Sequence, residues 1–362
     1  MANFDVAELA VKATAPSNEI LYDDKGYPSI MVFIPKFKLS EVIAGGADEY
    51  HPAFRINDTI VDGIYISKYQ NVLNNGRAYS LPGKDPAVNI NWDNARAACE
   101  AKGAGWHMMT KAEWGMIALW CKKNGFMPYG NNNYGKDSRE TLQAAIPANY
   151  GSDGKINRVL TGTGPLTWSH NKQQDGIWDL NGNVSEWEGG YRTVKGELQF
   201  LPYNNAADKS HSQTAASSEW KALDATTGQF ITPDGSGTTP NSVKVDKAGS
   251  GGAQYCTAIT TRSSDFNCLM GAFTCTADIS DAAKAVLRAY ALLQENGTTT
   301  ADYDGDRLYF NNEADERVAY GGGVYGYTTN AGVFFSGGSG STRTSTSTYI
   351  GFRSAYAPLP TA

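Results

Sequence analysis

The stretch DLNGNVSEW, residues 179–187, places oxygen donors close together on a short turn. Two carboxylates and two main-chain carbonyls turned inward at the Asn-Gly bend would make a set of hard oxygen ligands, which Ca²⁺ prefers. The candidate metal ligands are Asp179, Gly182, Val184 and Glu186. The alternative is a structural turn, in which Asp179 and Asn183 hydrogen-bond main-chain amides while Trp187 packs in the core. The residues alone leave both open.

Thiol and imidazole chemistry have weaker support in this sequence. The cysteines are Cys99, Cys121, Cys256, Cys268 and Cys275. Their number is odd and the first two fall in helix-like segments, so we expect buried reduced thiols; one pair among the last three stays open. The four histidines stand apart, and the sequence contains no His-Glu-x-x-His motif, Gly-x-Ser-x-Gly elbow or phosphate-binding loop.

A third candidate is residues 321–353, here called the Tyr/Ser/Thr segment. From Gly321 to Ile350 it holds 8 Gly, 11 Ser or Thr and 3 Tyr among 30 residues, with Arg343 as its one charge. A flexible linker or an inert glycine-rich loop has a similar composition. Apolar groups at 331–335 and 350–352 interrupt the run, however, and such residues are typical of buried strands. The pattern indicates a ligand-binding surface attached to a rigid frame.

Tyr provides rigid amphipathic contact area, and Ser, Thr and Gly provide adaptable hydrogen bonding. The candidate ligand contacts are Val324, Tyr325, Tyr327, Thr329, Phe335, Gly337, Ser339, Ser341, Ser345, Ser347 and Tyr349. We expect residues 322–323, 331–334 and 351–353 to be scaffold that keeps the main chain constant. The sequence does not show which of these side chains face outward.

The elements expected to position these groups lie mainly in the first half of the chain. Apolar residues at 29–35 predict a buried strand, and alternation at 60–69 predicts a half-buried one. A helix is predicted to start at Asn91 and to stop at Gly103. A second starts with a capping box, in which Thr110 and Glu113 satisfy each other's main-chain amides.

Residues 193–316 differ from the rest of the chain. They are polar and rich in turn residues up to Gly252. One helix follows, capped by Ser280 and stopped at Asn296-Gly297. We predict that this segment is an insertion packed on the core.

Composition restricts the classes of partner. The chain has 362 residues, 39 of them Gly, a charged fraction of 19% and a net charge of −6, which favours many short strands and loops. There is no basic run, so we expect no nucleic-acid partner. No stretch approaches 18 consecutive apolar residues, so we expect no membrane insertion. The N-terminus lacks the basic and apolar parts of a signal peptide, which leads us to expect synthesis in the cytoplasm without export.

Several sequence groups occur in one particular order. They are IP (34–35), GIYISKY (63–69), PAVNINW (86–92), TKAEW (110–114), DGIWDLNGNVSEW (175–187), GG (322–323) and GFR (351–353). This set resembles the formylglycine-generating enzyme (sulfatase-modifying factor) family. The resemblance implies an α+β, C-type lectin-like fold that is irregular, with short strands, two core helices and a long insertion. Relatives of the enzyme type bind calcium at positions matching the four candidate ligands, which implies a structural Ca²⁺ and no other cofactor.

The resemblance also implies a division of the chain. Residues 1–27 would form an N-terminal arm, and residues 28–192 and 317–362 would form the lectin-like core. Residues 193–316 would be the insertion, and residues 321–353 the variable ligand-binding region. The family's oxidase needs cysteines between its Gly-Gly and Gly-Phe-Arg strands, where this chain has none. We therefore predict a binding protein and not an enzyme.

The end of the chain is also similar to the variable region of diversity-generating retroelement target proteins. In those families, error-prone copying at template adenines turns Asn-type codons into Tyr, Ser, Thr, Gly and Asp. The resemblance implies a hypervariable receptor-binding protein, which we expect in a bacteriophage tail, with a protein or glycan receptor on a bacterial surface and with a homotrimeric assembly left open. A formylglycine-generating-type oxidase and a calcium-dependent lectin of fixed specificity are the alternatives.

Overall fold

The computed structural model describes residues 4–249 and 251–359. Within these ranges the α-helices are α1 (Phe4–Thr14), α2 (Leu39–Val42), α3 (Trp92–Glu100), α4 (Lys111–Lys123) and α5 (Asp281–Ala289). The first strands are β1 (Asn18–Tyr22), β2 (Pro28–Pro35), β3 (Arg55–Ile56), β4 (Thr59–Ile60), β5 (Gly63–Ser67), β6 (Val72–Asn74), β7 (Arg77–Tyr79), β8 (Trp106–Met108), β9 (Pro147–Tyr150), β10 (Ile156–Val159), β11 (Ser185–Val194) and β12 (Glu197–Phe200). The remaining strands are β13 (Lys221–Leu223), β14 (Phe230–Ile231), β15 (Lys244–Lys247), β16 (Ala253–Cys256), β17 (Phe266–Leu269), β18 (Thr274–Cys275), β19 (Arg307–Phe310), β20 (Arg317–Gly321), β21 (Ser336–Gly337), β22 (Ile350–Phe352) and β23 (Ser354–Tyr356).

A five-stranded antiparallel sheet joins the two ends of the described chain, in the order β1-β2-β5-β23-β8. The predicted strand at 29–35 is β2, whereas the predicted strand at 60–69 is divided between β4 and β5. The predicted N-terminal arm contains α1 and β1, and β1 forms the edge of this sheet. Since β23 follows the Tyr/Ser/Thr segment directly, the sheet fixes the point where that segment ends.

The second sheet has twelve strands, and β11 lies in the middle of it. β11 pairs antiparallel with β12 and β20 and parallel with β22. The strands between residues 193 and 316 extend the same sheet, from β12 through β15 and β16 on one side and through β19 and β17 on the other. The predicted insertion is thus built into the sheet that carries the Tyr/Ser/Thr segment.

Helix α4 lies at the centre of the largest apolar cluster, and ten of its 13 residues are buried. The predicted capping box is confirmed: Thr110 Oγ1 accepts from the Glu113 amide at 3.2 Å, and the Glu113 carboxylate accepts from the Thr110 amide at 2.9 Å. Such a cap contributes about 1 kcal/mol. Gly115 allows close packing, because a Cβ there would lie 2.8 Å from the main chain of Tyr290.

Helix α3 begins as predicted, with the Asn91 side chain accepting from the Asn94 amide. Its Trp92 joins Trp187, Phe352 and Tyr320 in a second buried cluster beneath the Tyr/Ser/Thr segment. Helix α5 is shorter than predicted. It ends at Ala289 because Ala291 has a left-handed backbone (φ 52°), which stops the helix before Asn296-Gly297.

No helix within residues 4–249 and 251–359 is long and apolar enough to cross a membrane.

Candidate ligand-binding site

Both ends of the Tyr/Ser/Thr segment are paired with β11. Glu186 of β11 lies opposite Gly321 of β20 on one side and opposite Gly351 of β22 on the other. Gly351 has no room for a side chain, since a Cβ there would lie 2.4 Å from the Ala87 carbonyl oxygen. The segment is therefore a long excursion that leaves one edge of β11 and returns to the other.

Between these ends, the frame (the described residues outside 321–353) holds the segment by its main chain. Carbonyls of the segment that accept from frame donors include those of Tyr325 (from Tyr134 N, 2.8 Å), Val333 (from Trp114 Nε1, 2.7 Å), Ser339 (from Arg317 Nε, 3.0 Å, and Asn311 Nδ2, 3.2 Å), Ser341 (from Val318 N, 3.4 Å), Arg343 (from Trp92 N, 3.1 Å), Ser347 (from Asn89 N, 2.8 Å), Thr348 (from Arg158 Nη1, 3.1 Å) and Tyr349 (from Ser185 N, 3.0 Å). Every residue type offers a main-chain carbonyl. These bonds consequently do not depend on the side chains of the segment.

Arg343, the one charged residue between Gly321 and Ile350, clamps the segment to the frame. Its Nε and Nη2 donate to the Glu316 carboxylate at 2.9 and 2.8 Å, and its Nη1 donates to Asp93 at 2.9 Å. The guanidinium also stacks over the Trp92 ring, 4.7 Å from its centroid. Bidentate pairs of this kind are strong and geometrically specific. The arginine therefore fixes the middle of the segment and is not free for a ligand.

The predicted ligand contacts divide into three groups by exposure. Thr329 and Tyr349 are exposed, and Tyr349 keeps 40% of its surface accessible. Half-buried side chains are Tyr325, Tyr327, Ser339, Ser345 and Ser347. Buried residues are Val324, Phe335, Gly337 and Ser341.

The four buried residues do not belong to a contact surface. Phe335 is 1% exposed and packs against Tyr327 and Tyr309, with ring centroids 5.6 and 5.7 Å away. A Cβ at Gly337 would lie 2.1 Å from the Tyr320 ring. Val324 and Ser341 are each 6% exposed. The apolar scaffold thus extends one residue beyond the predicted 331–334 group, because Phe335 belongs to the second core cluster.

Sequence reasoning missed four other exposed side chains of the segment. They are Thr328, Thr344, Thr346 and Thr348. In the alternating Thr-Ser repeat at residues 344–348 the threonines are exposed, and the predicted serines, Ser345 and Ser347, are half-buried. An alternating sequence reads equally well in either register. Here the register follows from frame bonds such as the one from Asn89 to the Ser347 carbonyl, which local sequence does not reveal.

The tyrosines of the segment meet aromatic residues of the frame. Tyr325 lies beside Tyr134 and Tyr327 beside Tyr309, with ring centroids 5.9 and 6.4 Å apart. Burial raises the pKa of Tyr325 and Tyr327, and the neighbouring Tyr349 raises both further. Tyr325 and Tyr327 therefore stay neutral at pH 7, and Tyr349 lies in the neighbourhood of both. Tyr134 and Tyr309 are distant in sequence, so no local signal marks them as part of this surface.

Thr328 holds an unfavourable backbone conformation at the tip of the first loop. Its φ is +52°, in the left-handed region, and its amide donates to the Asn132 carbonyl at 2.9 Å. A β-branched residue is an outlier there, whereas Gly and Asn are tolerated. The residue type at this exposed position is thus not the one that the main chain favours.

The 179–187 loop brings the predicted metal ligands together around a side chain of the protein itself. Gln70 Nε2 lies 2.9 Å from the Val184 carbonyl, 3.0 Å from Glu186 Oε1, 3.1 Å from the Asp179 carbonyl and 3.5 Å from the Gly182 carbonyl. Asp179 presents its carbonyl there and not the carboxylate that we predicted. The residues as arranged fit an amide NH₂ group at this centre and not an ion.

The Asp179 carboxylate has a separate role in the loop. It accepts from the Gly162 amide at 2.9 Å, and burial raises its pKa to about 6. Nowhere in residues 4–249 and 251–359 do three or more His, Cys, Asp or Glu side chains form a group that could hold a metal.

Arg353 connects the end of the Tyr/Ser/Thr segment to this loop. Its Nε and Nη2 each lie 2.8 Å from a Glu186 carboxylate oxygen, and the guanidinium also donates to the carbonyls of Ser67 and Trp178. All of these groups are buried. The Gly-Phe-Arg group is therefore scaffold in the structure, as its position after the polar stretch predicts.

The five cysteines are free thiols, and four of them are buried. Burial raises the pKa of Cys256 to about 12 and raises the pKa values of the other four as well. Thiols in such surroundings are poor nucleophiles, because the reactive thiolate is suppressed.

Comparison with protein families identifies the fold. Residues 34–265 match the model of the sulfatase-modifying factor enzyme 1-like domain, which is more than half of the chain. The chain belongs to this family. The predicted α+β, C-type lectin-like fold of the formylglycine-generating enzyme type is confirmed. The matched range ends before the Tyr/Ser/Thr segment, so the family assignment rests on the frame.

Two solved structures are similar to this chain, but only distantly. PvdO from Pseudomonas aeruginosa is 14% identical with a TM-score of 0.38, over 94% of this chain and 98% of that chain. The Major Tropism Determinant P3c variant is 10% identical with a TM-score of 0.30, over 94% of this chain and 71% of that chain. Neither likeness is close enough to bear on function. A comparison with curated proteins gives no match.

Proposed function

We propose that this family member is a ligand-binding protein whose contact surface is the Tyr/Ser/Thr segment. The observation that carries the proposal is the way the segment is held. Frame donors bind its main-chain carbonyls from Tyr325 to Tyr349, while Thr328, Thr344, Thr346 and Thr348 project outward. Such an arrangement tolerates many side chains on one constant backbone.

The exposed chemistry suits a protein or glycan ligand. Tyr349, Tyr325 and Tyr327 offer aromatic surface with hydroxyl groups, and the threonines offer small hydrogen-bonding groups. Two arginines at this surface are each paired with a carboxylate, Arg343 with Glu316 and Arg158 with Asp85. Recognition would therefore depend on aromatic contacts and neutral hydrogen bonds.

We further propose that a retroelement diversifies this surface. The conformation of Thr328 supports it, since Asn fits the left-handed backbone better and an Asn codon becomes a Thr codon by one change at an adenine. The surrounding DNA tests the idea. A near-copy of the sequence encoding 317–357, differing only at adenines, should lie near a reverse transcriptase gene and should encode Asn at position 328. A locus without such a copy would contradict the retroelement but not the binding surface.

The finer role that we propose is receptor binding from a bacteriophage tail, with a receptor on a bacterial surface. This role rests on the resemblance of the segment to variable proteins. Mass spectrometry of purified phage particles from the source strain should detect the chain, and light scattering should show whether it is a homotrimer. Particles that lack the chain would contradict the tail location.

The binding surface itself is tested on intact cells. Labelled protein is applied to a panel of bacterial strains, and the Tyr349→Ser variant is compared with Tyr50→Ser. Tyr50 is the matched control, because it is 38% exposed and lies outside the segment, whereas Tyr349 is 40% exposed. We expect Tyr349→Ser to lower cell binding at least tenfold with an unchanged melting temperature, and Tyr50→Ser to change neither. Equal binding by both variants would contradict the proposal.

We also propose that the chain is not an enzyme. The Tyr/Ser/Thr segment has no cysteine, and the buried thiols elsewhere are held protonated at pH 7. Replacing Cys256, Cys268 and Cys275 by Ser should leave cell binding unchanged. Turnover of a thiol-containing peptide with copper, lost in that variant, would contradict this proposal.

A further inference from the structure

The 179–187 loop presents more acceptors than the group inside it can satisfy. Four oxygens, three carbonyls and one carboxylate oxygen, lie within 3.5 Å of Gln70 Nε2. An amide nitrogen carries only two hydrogens. Oxygens that surround one point in excess of the available hydrogens are the arrangement that a hard cation prefers.

The orientation of the Gln70 amide is determined by its surroundings. All four oxygens are acceptors, so only the NH₂ end can face them. The opposite end is held as well: Gln70 Oε1 accepts from Asn183 Nδ2 at 2.8 Å, and Asn183 Oδ1 accepts from the Val159 amide at 2.9 Å. The side chain is fully buried. The amide is thus a fixed part of the loop.

The Glu186 carboxylate at this centre already has a positive partner. Glu186 Oε1, which receives Gln70, also accepts from Arg353 Nη2 at 2.8 Å. An ion in place of the amide nitrogen would share that oxygen with the guanidinium, and the two positive groups would repel each other in a buried, weakly screened site. A neutral NH₂ group adds no charge there.

We propose that the Gln70 amide takes the place of a cation in the 179–187 loop, so that the loop is closed without a metal ion. Gln70 supplies the positive end of a dipole to the carbonyls of Asp179, Gly182 and Val184, and Arg353 neutralises Glu186. The residue type at position 70 then decides whether the loop needs an ion. With glutamine at this position the loop needs no ion. Glutamate would instead add a second carboxylate to the same group of oxygens and create a calcium site.

The test compares the wild-type protein with Gln70→Glu by thermal unfolding in EDTA and in millimolar CaCl₂. We expect the wild-type melting temperature to be the same in both. Gln70→Glu should melt roughly 5–10 °C lower in EDTA, because its carboxylate faces four acceptors, and Ca²⁺ should restore it. Calorimetry should give one Ca²⁺ per chain for this variant, with a Kd of about 10⁻⁴ to 10⁻³ M.

Gln213→Glu is the matched control. Gln213 is also buried, but its amide nitrogen donates to a single acceptor, the Ala206 carbonyl at 3.2 Å. This variant should be destabilised without rescue by Ca²⁺. Rescue of both variants alike would mean a general effect of the ion and would overturn the assignment.

Two further results would overturn the proposal even if Gln70→Glu does not fold. A wild-type protein that binds Ca²⁺ at one site, or that loses stability in EDTA, would show that the amide does not replace the ion. Gln70→Ala should lower the melting temperature, because the carbonyls of Asp179, Gly182 and Val184 lose the amide that donates to them. A melting temperature unchanged by that substitution would show that the amide contributes nothing to the loop.

Discussion

The 179–187 loop and the Tyr/Ser/Thr segment lie side by side on β11, and they use their residues in opposite ways. In the loop, buried side chains of the frame and of Arg353 hold specific groups: Gln70 donates to the carbonyls of the loop, and Arg353 pairs with Glu186. In the segment, the main chain is committed and the outward side chains, such as Thr346 and Tyr349, are free. The stability of the fold should therefore depend strongly on the residue types of the loop and weakly on those of the exposed positions in the segment.

The contrast explains how a fold can carry a changeable surface. Stability comes from buried groups whose partners are specified, and the recognition that we propose would come from exposed side chains that contribute little to stability. Both kinds of group can occur in one residue: the Tyr349 carbonyl accepts from the Ser185 amide, while the residue as a whole is 40% exposed.

The largest effect is expected from breaking the link between the two regions. Arg353→Ala leaves the Glu186 carboxylate buried and without its bidentate partner. Removing one partner of a buried ion pair costs about 3–5 kcal/mol, which urea denaturation measures as a lowered free energy of unfolding. A loss below about 1 kcal/mol would mean that the loop does not depend on this arginine.

A smaller loss is expected where the segment itself is clamped. Arg343→Ala removes two bonds to Glu316, one to Asp93 and the contact with the Trp92 ring. We expect the free energy of unfolding to fall by about 2 kcal/mol, in the range of charged hydrogen bonds. Thr344→Ala, at the next residue, is the control and should cost nothing measurable. Equal effects of both substitutions would erase the distinction between clamp and surface.

A gain in stability is expected at the first loop. Thr328→Asn replaces a β-branched residue at φ +52° by one that tolerates the left-handed region, and should raise the free energy of unfolding by about 1 kcal/mol. Thr329→Asn is the control at an exposed neighbour without positive φ. Destabilisation by Thr328→Asn would show that the threonine side chain makes a contact that the main chain needs.

The smallest effect is expected from the exposed repeat. Changing Thr344, Thr346 and Thr348 together to Ala should alter the free energy of unfolding by no more than about 0.5 kcal/mol, because exposed side chains away from caps and clamps contribute little. Cell binding should nevertheless change. Intact binding would limit the contact surface to the tyrosines.

Local patterns predicted much of the frame. The caps at Asn91, Thr110 and Ser280 could be read from sequence because a capping side chain and its helix are neighbours in the chain. The ordered sequence groups gave the fold, which the family match confirms. The insertion's place in the large sheet could not be foreseen, since strand pairing such as that of β19 with β21 joins residues far apart.

The candidate site was predicted at the level of the segment and less well at the level of residues. Phe335 is predicted to be a ligand contact because it is an aromatic residue just outside the expected 331–334 scaffold. In the structure it packs against Tyr309 and is buried. Gln70 gave no signal, since its four acceptors come from a loop more than a hundred residues later. Both depend on tertiary contacts that composition and spacing do not encode.

The most direct test of the account uses one variant in which all the exposed side chains of the segment change together. The substitutions, all to Asn, are at Thr328, Thr329, Thr344, Thr346, Thr348 and Tyr349. Urea denaturation should give a free energy of unfolding within about 1 kcal/mol of the wild-type value, because the bonds that hold the segment use its main chain. A loss of several kcal/mol would contradict the account, since the side chains of the segment would then be part of what holds the fold together.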